Sequence, residues 1–149
     1  MEELLAYALL IYAGFDVEEK YQSKLDELFL ANPTDDFLLE LEAKSGNIKE
    51  SIIYISMNLN TKFKCGNSYN LNYDIFGKAL MDSLKPFYKN TELILFAEKG
   101  WYLWNSLPDV LWQTEPFWSL CYADDPLSHG DEAKCREFYE NMFNYYDDE

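Results

Sequence analysis

Four side chains near the C-terminus have types and spacing suited to metal chemistry: Asp124, Asp125, His129 and Asp131. Carboxylate oxygens and an imidazole nitrogen this close together can bind calcium or a transition-metal ion. The spacing is not that of an EF-hand, because the regular alternation of ligands and the closing glutamate are absent. Asp131 also has a structural explanation, since it precedes an amphipathic segment and can cap a helix. We therefore expect no metal or other cofactor, and we keep a metal-dependent hydrolase built around these four residues as the alternative function.

Nucleophilic catalysis depends on His129, which is the only histidine of the chain. Cys121 and Cys135 are the cysteines nearest to it in sequence, and Cys135 follows it by six residues. Cys135 falls on the apolar stripe of the last predicted helix, however, where a buried thiol is ordinary. No GxSxG, Walker or dinucleotide-binding glycine pattern occurs either. We predict that the protein is not an enzyme.

The charge of the chain favours binding to a basic protein. Its 12 Lys and Arg residues stand against 27 Asp and Glu residues, which gives a net charge of -15 and a pI near 4.3. Such a surface repels phosphate backbones and anionic lipids, so we expect neither a nucleic-acid nor a membrane partner. A basic protein is attracted, because opposite charge accelerates association. An acidic composition that serves solubility alone remains an alternative.

Tyrosines accompany acidic residues in three segments, and aromatic residues are enriched at protein interfaces. These segments are the acidic stretch after Tyr122, the flanks of an Asn-rich stretch and the C-terminus. The predicted partner-binding residues are Tyr122, Asp124, Asp125, His129, Asp131, Glu132, Tyr69, Tyr73, Asp74, Tyr145, Asp147 and Asp148. The four tryptophans are instead predicted to form the packed base beneath this surface; they are Trp101, Trp104, Trp112 and Trp118.

The elements that must position these residues are predicted to be helices. Apolar residues at helical spacing predict an all-α fold of six to eight helices in one domain, residues 1–149. Helix one, at about residues 2–13, has apolar residues on two faces and should lie centrally. The last helix, after Asp131, has the clearest amphipathic stripe: Cys135, Phe138, Tyr139, Met142, Phe143 and Tyr146.

Helix boundaries follow from capping and breaking residues. Gly14 is predicted to end helix one, and Pro86 to end or kink helix five. We expect an Asn-rich loop at residues 58–72 and an acidic loop at 124–132. The residues predicted to cap helices are Asp16, Thr34, Asn47, Asp74 and Asp131.

Two segments have competing interpretations. The isoleucines of residues 48–59 are compatible with a strand, but the cap at Asn47 favours a helix. Residues 92–104 fit either a β-hairpin, which would make the fold α+β, or a helix. We favour the helix because its apolar stripe continues across the supposed turn.

The first segment does not have the features of a membrane anchor or a signal peptide. Its apolar run, residues 4–15, is shorter than the roughly 20 residues of a membrane span. Glu2 and Glu3 replace the basic start of a signal peptide. The three cysteines, Cys65, Cys121 and Cys135, form no CxxC pair, which is typical of reduced thiols. We therefore expect a cytoplasmic protein.

In overall character the chain resembles the immunity proteins of bacterial polymorphic-toxin systems, including contact-dependent growth inhibition. The resemblance lies in the acidic, aromatic-rich composition and in segments such as WNSLPDVLW and EPFWSLCYADDPLSHGDE. It implies a non-enzymatic protein that binds a cognate toxin domain, often a basic nuclease, and blocks its active site. It implies no particular fold, and we expect a monomer or weak dimer. A helical adaptor domain is a further alternative.

Overall fold

A computed structural model of the protein describes residues 1–59 and 71–147, and they form an all-α structure. In this part of the chain two short helices, α7 (Ser119–Tyr122) and α8 (Asp124–Ser128), and a 3-10 turn (Asp109–Leu111) accompany the longer helices. The longer helices are α1 (Glu2–Tyr12), α2 (Glu18–Ala31), α3 (Asp36–Ala43), α4 (Ile48–Asn58), α5 (Tyr73–Asn90), α6 (Leu93–Ser106) and α9 (Glu132–Asn144). The all-α prediction is confirmed. The strand and hairpin alternatives are wrong, because α4 and α6 occupy those segments.

Helix α1 lies at the centre of the structure, as predicted. It packs against α2, α4, α5 and α6. Gly14 follows it with a φ of 102°, a left-handed conformation that favours glycine, so the chain turns there. The buried residues of α1 are Leu4, Leu5, Ala6, Ala8, Leu9 and Leu10.

An aromatic cluster joins α5, α6 and α9. The ring of Phe96 on α6 lies 4.9 Å from that of Tyr139 on α9, in an edge-to-face arrangement. Tyr88 on α5 packs 5.6 Å from Tyr139 and 5.3 Å from Phe143. Aromatic pairs in this arrangement stabilise a core by more than the burial of their surface area alone would. The cluster therefore fixes the inner side of α6 against the last helix.

Two of the predicted caps are confirmed. Asn47 accepts a hydrogen bond at 3.2 Å from the backbone N–H of Glu50, at the start of α4. Asp131 accepts one at 3.0 Å from the backbone N–H of Lys134, at the start of α9. Each side chain satisfies a backbone donor that the first turn of a helix leaves without a partner.

The cap predictions at Asp16, Thr34 and Asp74 are wrong. Helix α2 begins after Val17 with no side-chain cap. Asp35 caps α3, where it accepts from the N–H of Phe37 at 2.9 Å. The residues involved lie within two positions of those predicted, because apolar periodicity locates a helix without fixing its first residue.

At α5 the observed cap is Asn72, whose side-chain oxygen accepts from the N–H of Asp74 at 3.1 Å. Pro86 was predicted to end or kink this helix; it lies inside the helix, which continues to Asn90, so the first of these alternatives is wrong. The predicted acidic loop at 124–132 is also partly wrong, because its first five residues form α8. Acidic residues in a first turn complement the helix dipole, which is consistent with this helix.

The tryptophans lie at the edge of the core. Trp101 is 41% exposed, so the prediction that it belongs to the packed base is wrong. Trp104, Trp112 and Trp118 are half-buried. The Trp104 indole N–H donates to the carbonyl of Trp112 at 3.1 Å, and the two rings stack at 5.0 Å. These residues therefore brace the connection after α6.

Some predictions concern residues outside the described ranges. Tyr69, Asp148, Cys65 and most of the predicted loop at 58–72 belong to them. None of the helices within the described ranges combines the length and apolarity needed to cross a membrane.

Candidate functional site

The acidic corner is the group of predicted residues where α7, α8 and the start of α9 meet. These three helices pack against one another. All of the corner residues are exposed to solvent. They are Tyr122, Asp124, Asp125, His129, Asp131 and Glu132.

Tyr122 is the one aromatic residue of the acidic corner, and its position is fixed by two contacts. Its ring lies 5.4 Å from that of Trp118, and its hydroxyl donates to the side-chain oxygen of Gln113 at 3.1 Å. Trp118 is supported in turn by Phe138 of α9, at 5.5 Å. Even so, 43% of Tyr122 is exposed. Little rotamer freedom remains to be lost when a partner covers this ring.

Asp124 and Asp125 form the first turn of α8. The ring Nδ1 of His129 lies 2.9 Å from the backbone carbonyl oxygen of Asp125. A carbonyl oxygen only accepts hydrogen bonds, so Nδ1 carries the proton and donates it. This bond and that from the Ser128 hydroxyl, at 2.7 Å, both use the Asp125 backbone. Neither of these two bonds uses its carboxylate, which is exposed to solvent.

Asp131 and Glu132 have structural contacts within α9. Asp131 caps the helix through Lys134. Glu132 accepts from both Nε and Nη2 of Arg136, at 3.1 and 3.0 Å. Arg136 also donates to the Tyr88 hydroxyl at 3.4 Å. A partner that bound these two carboxylates would have to compete with contacts inside the protein.

The metal-binding and nucleophilic alternatives find no geometric support in the described ranges. No three His, Cys, Asp or Glu side chains converge there on a point that could hold a metal ion. Burial, and to a lesser degree the nearby Asp124 carboxylate, raises the pKa of the fully buried Cys135 thiol to about 11. Burial also raises the pKa of Cys121. Both side chains are therefore protonated thiols near neutral pH, which are poor nucleophiles.

The remaining predicted residues lie beside α5. Tyr73 and Asp74 form its first turn, and Tyr73 is 37% exposed. Tyr145, 42% exposed, follows α9, and Asp147 pairs with Lys85 of α5 at 3.1 Å. Three of these residues are thus brought to the same helix, and Tyr145 packs against Tyr146, which reaches that helix.

Close packing holds the C-terminal segment against the first half of α5. Tyr146 reaches Gly77, where a Cβ atom would overlap the Tyr146 hydroxyl and the Phe117 ring. Only a glycine leaves room for this approach. The position of the C-terminal segment therefore depends on Gly77.

The two groups of predicted residues lie at opposite ends of α9. Arg136, near its start, contacts Tyr88 late in α5, whereas Tyr146, just after its end, contacts Gly77 early in α5. At about 1.5 Å per residue, a helix of this length separates the groups by roughly 20 Å. The predicted residues form two patches rather than one surface.

Sequence reasoning missed a further surface, on α1, α4 and α6. A groove of about 860 Å³ runs between α4 and α6, above the end of α1. We use the name apolar face for the exposed residues in and beside this groove: Tyr12, Ile53, Ile94, Leu95, Trp101 and Tyr102. The signal was present in the sequence, because α6 carries large apolar residues all round.

Comparisons of the chain with protein-family models, with curated proteins and with solved structures found no match.

Proposed function

We propose that the protein is a non-enzymatic inhibitor of the immunity type, which binds and neutralises a basic cognate toxin domain such as a nuclease. The observation that carries the proposal is the acidic corner. There an exposed and braced tyrosine stands beside two exposed aspartates, on a chain with a net charge of -15.

Electrostatics supports a nuclease as the target. A nuclease must attract phosphate groups, so the surface around its active site is basic. An acidic inhibitor is attracted to the same surface and reaches it faster than a neutral protein would. Its bulk then excludes the nucleic acid. Inhibition of this kind requires no catalytic group on the inhibitor.

The contacts inside the acidic corner give its residues different roles in toxin binding. Asp124 and Asp125 can pair with lysines and arginines of the toxin, because both side chains are exposed to solvent. Tyr122 supplies rigid contact area and a hydroxyl group. Asp131 and Glu132 contribute mainly to the local field, since both already have partners in α9.

The test is binding to a toxin domain encoded beside this protein, measured by calorimetry at low and at high salt. We expect the double variant Asp124→Lys, Asp125→Lys to raise the Kd by about 100-fold or more, since close charge pairs at such interfaces couple strongly. The matched control is the double variant Glu18→Lys, Glu19→Lys, which reverses the charge of two acidic residues in the first turn of α2. It changes the net charge equally and should affect the Kd far less.

Salt provides a second readout. Added salt should weaken the complex, because it screens the attraction between the charged surfaces. Absence of binding at low salt to any basic toxin domain encoded next to the protein would overturn the proposal. Equal effects of the two double variants on the Kd would also overturn it. They would mean that only the net charge of the chain matters and not the position of the acidic corner.

Two substitutions of Asp131 separate its role as a helix cap from the role of its charge. Asp131→Asn keeps a good cap and removes the charge, whereas Asp131→Ala removes both. We expect Asp131→Ala to lower the free energy of unfolding by about 1 kcal/mol and Asp131→Asn to lower it by a few tenths at most. Chemical denaturation measures both. Equal losses would show that the hydrogen bond to Lys134 does not stabilise α9.

A further inference from the structure

The apolar face is unusual because large apolar side chains remain exposed together. Their exposed fractions run from 41% for Trp101 to 68% for Ile94. Single exposed apolar residues are ordinary on a protein surface, but a contiguous group of them marks an interaction site.

The apolar face combines the groove with the outer side of α6, where the exposed Glu98 separates Leu95 from Tyr102. Tyr12, Ile53 and Tyr102 line the same groove. The rings of Tyr102 and Trp101 are 5.6 Å apart. On α6, Leu95 lies seven residues before Tyr102, as Ile94 does before Trp101, and this spacing places each pair on one side of a helix.

Its area fits the interface of a stable dimer. Six large side chains that are about half exposed present roughly 100 Å² each, or about 600 Å² in total. A polar rim, which includes Lys49 and Asn105, brings the face to the approximately 800 Å² per partner of a standard interface. An apolar core inside a polar rim is the usual composition of such an interface.

Charge favours a second copy of the chain as the occupant. Among the described residues that line the groove, Lys49 is the one that carries a charge, although the chain as a whole carries a charge of -15. Two copies meet with less repulsion here than through an acidic surface. Glu98 lies on the outer side of α6, between Leu95 and Tyr102. A two-fold contact can place Lys49 of one copy opposite Glu98 of the other.

We propose that the apolar face joins two copies of this chain in a two-fold symmetric dimer. No residue of the acidic corner belongs to this face. The dimer therefore leaves the corner open to a toxin, and the proposal does not rest on the proposed function.

Salt should act on the dimer in the opposite direction from its effect on toxin binding. Association brings together two bodies of like charge, so screening reduces the repulsion between them. The apolar contact is not weakened by screening. Salt also weakens the Lys49–Glu98 pairs, but the repulsion between two chains of charge -15 is the larger effect, so the dimer should tighten as salt is added.

The experiment is sedimentation velocity on the full chain over a concentration series. The chain should change from monomer to dimer, and Ile53→Glu and Tyr102→Glu should each raise the dimer Kd about tenfold or more. Leu30→Glu is the matched control. Leu30 is 80% exposed on α2, outside the face, so its variant should leave the Kd unchanged. Circular dichroism should show that all three variants are folded, because each replaced side chain is exposed.

A charge exchange tests the predicted pair directly. Lys49→Glu and Glu98→Lys should each weaken the dimer by a few-fold, because each brings like charges together. The double variant restores the pair and the original net charge, so it should recover most of the affinity. If the effects of the two single variants on the dimer Kd simply add in the double variant, Lys49 does not lie opposite Glu98. That result would overturn the two-fold dimer as proposed.

Two other outcomes would overturn the proposal. The first is a wild-type chain that stays monomeric over the whole concentration series at high salt. The second is a dimer whose Kd is unchanged by Tyr102→Glu. If the wild-type chain is monomeric and Tyr102→Glu weakens toxin binding instead, the face belongs to the toxin and not to a second copy.

Discussion

Helices α1 and α6 are both rich in large apolar residues, but their surroundings differ. Helix α1 packs against four other helices and is buried over most of its circumference. Helix α6 packs against α1, α5, α7 and α8 on its inner side, while Ile94, Leu95, Trp101 and Tyr102 face outwards. The apolar residues of α1 are thus explained by the core. Those on the outer side of α6 require another explanation, and we assign them to an interface.

The acidic corner and the apolar face differ in the distance over which they act on a partner. Its charged residues attract partners over distance, whereas the apolar face acts only on contact. A molecule with both surfaces can bind a toxin through one and a second copy of itself through the other. Their opposite expected responses to salt allow the two activities to be measured separately.

The largest expected effect tests the contrast between α1 and α6 directly. Leu9→Ala removes a fully buried side chain from α1 and should lower the free energy of unfolding by about 3 kcal/mol. Leu95→Ala makes the same change on the outer side of α6, where 47% of the side chain is exposed, and should cost about 0.5 kcal/mol or less in the monomer. Urea denaturation at low protein concentration measures both. Similar losses would contradict the distinction between the two helices.

A second prediction compares two buried helical glycines, Gly77 of α5 and Gly100 on the inner side of α6. Gly77→Ala should cost about 2 kcal/mol, because the new methyl group forces Tyr146 and Phe117 aside. At Gly100 of α6 a Cβ atom would lie 3.6 Å from Leu120, an ordinary contact. Gly100→Ala should therefore be neutral or stabilise the protein by up to about 1 kcal/mol, because alanine favours the helix. Thermal melting compares the variants, and a strongly destabilised Gly100→Ala would mean that α6 has no spare room on its inner side.

The third effect concerns alkaline pH and α9, whose Tyr139 ring contacts Phe96 of α6. Burial raises the pKa of Cys135 from 9.0 to about 11 and that of Tyr139 above its usual range. The folded state thus disfavours the thiolate, so the contribution of Cys135 to stability is complete below pH 9 and is lost as the pH rises towards 11. A difference of about two pKa units corresponds to a loss of roughly 2–3 kcal/mol.

The control for this prediction is Cys135→Ala, which removes the titrating thiol. The variant should be less stable than the wild-type protein near neutral pH, and this difference should shrink between pH 9 and 11. Denaturation curves at several pH values measure it. A difference that stays constant would mean that Cys135 is not the group that titrates.

Most of the fold could be predicted from the sequence because helical signals are local. The caps at Asn47 and Asp131 depend on contacts over three residues, and both were predicted correctly. Errors arose where two neighbouring residues could serve equally well, as at Thr34 and Asp35. Local chemistry did not separate them, because the helix boundary depends on how the preceding turn packs.

The candidate site was less predictable. The sequence placed Asp124 and Asp125 beside Tyr122, but it did not show that Gln113 and Trp118 hold the tyrosine. It also grouped Tyr145 with the acidic corner, although α9 separates the two. Contacts of this kind join parts of the chain according to how the helices pack, which no local pattern records.

By itself, then, the sequence determined the helical periods, the charge of -15 and the central role of α1, because these follow from residue types and spacings within a few turns of helix. The tertiary structure decided which surfaces are covered and which carboxylates already have partners. It covered the outer side of α1 and left that of α6 open, because burial depends on which helices pack against one another, and those contacts join residues far apart in the chain.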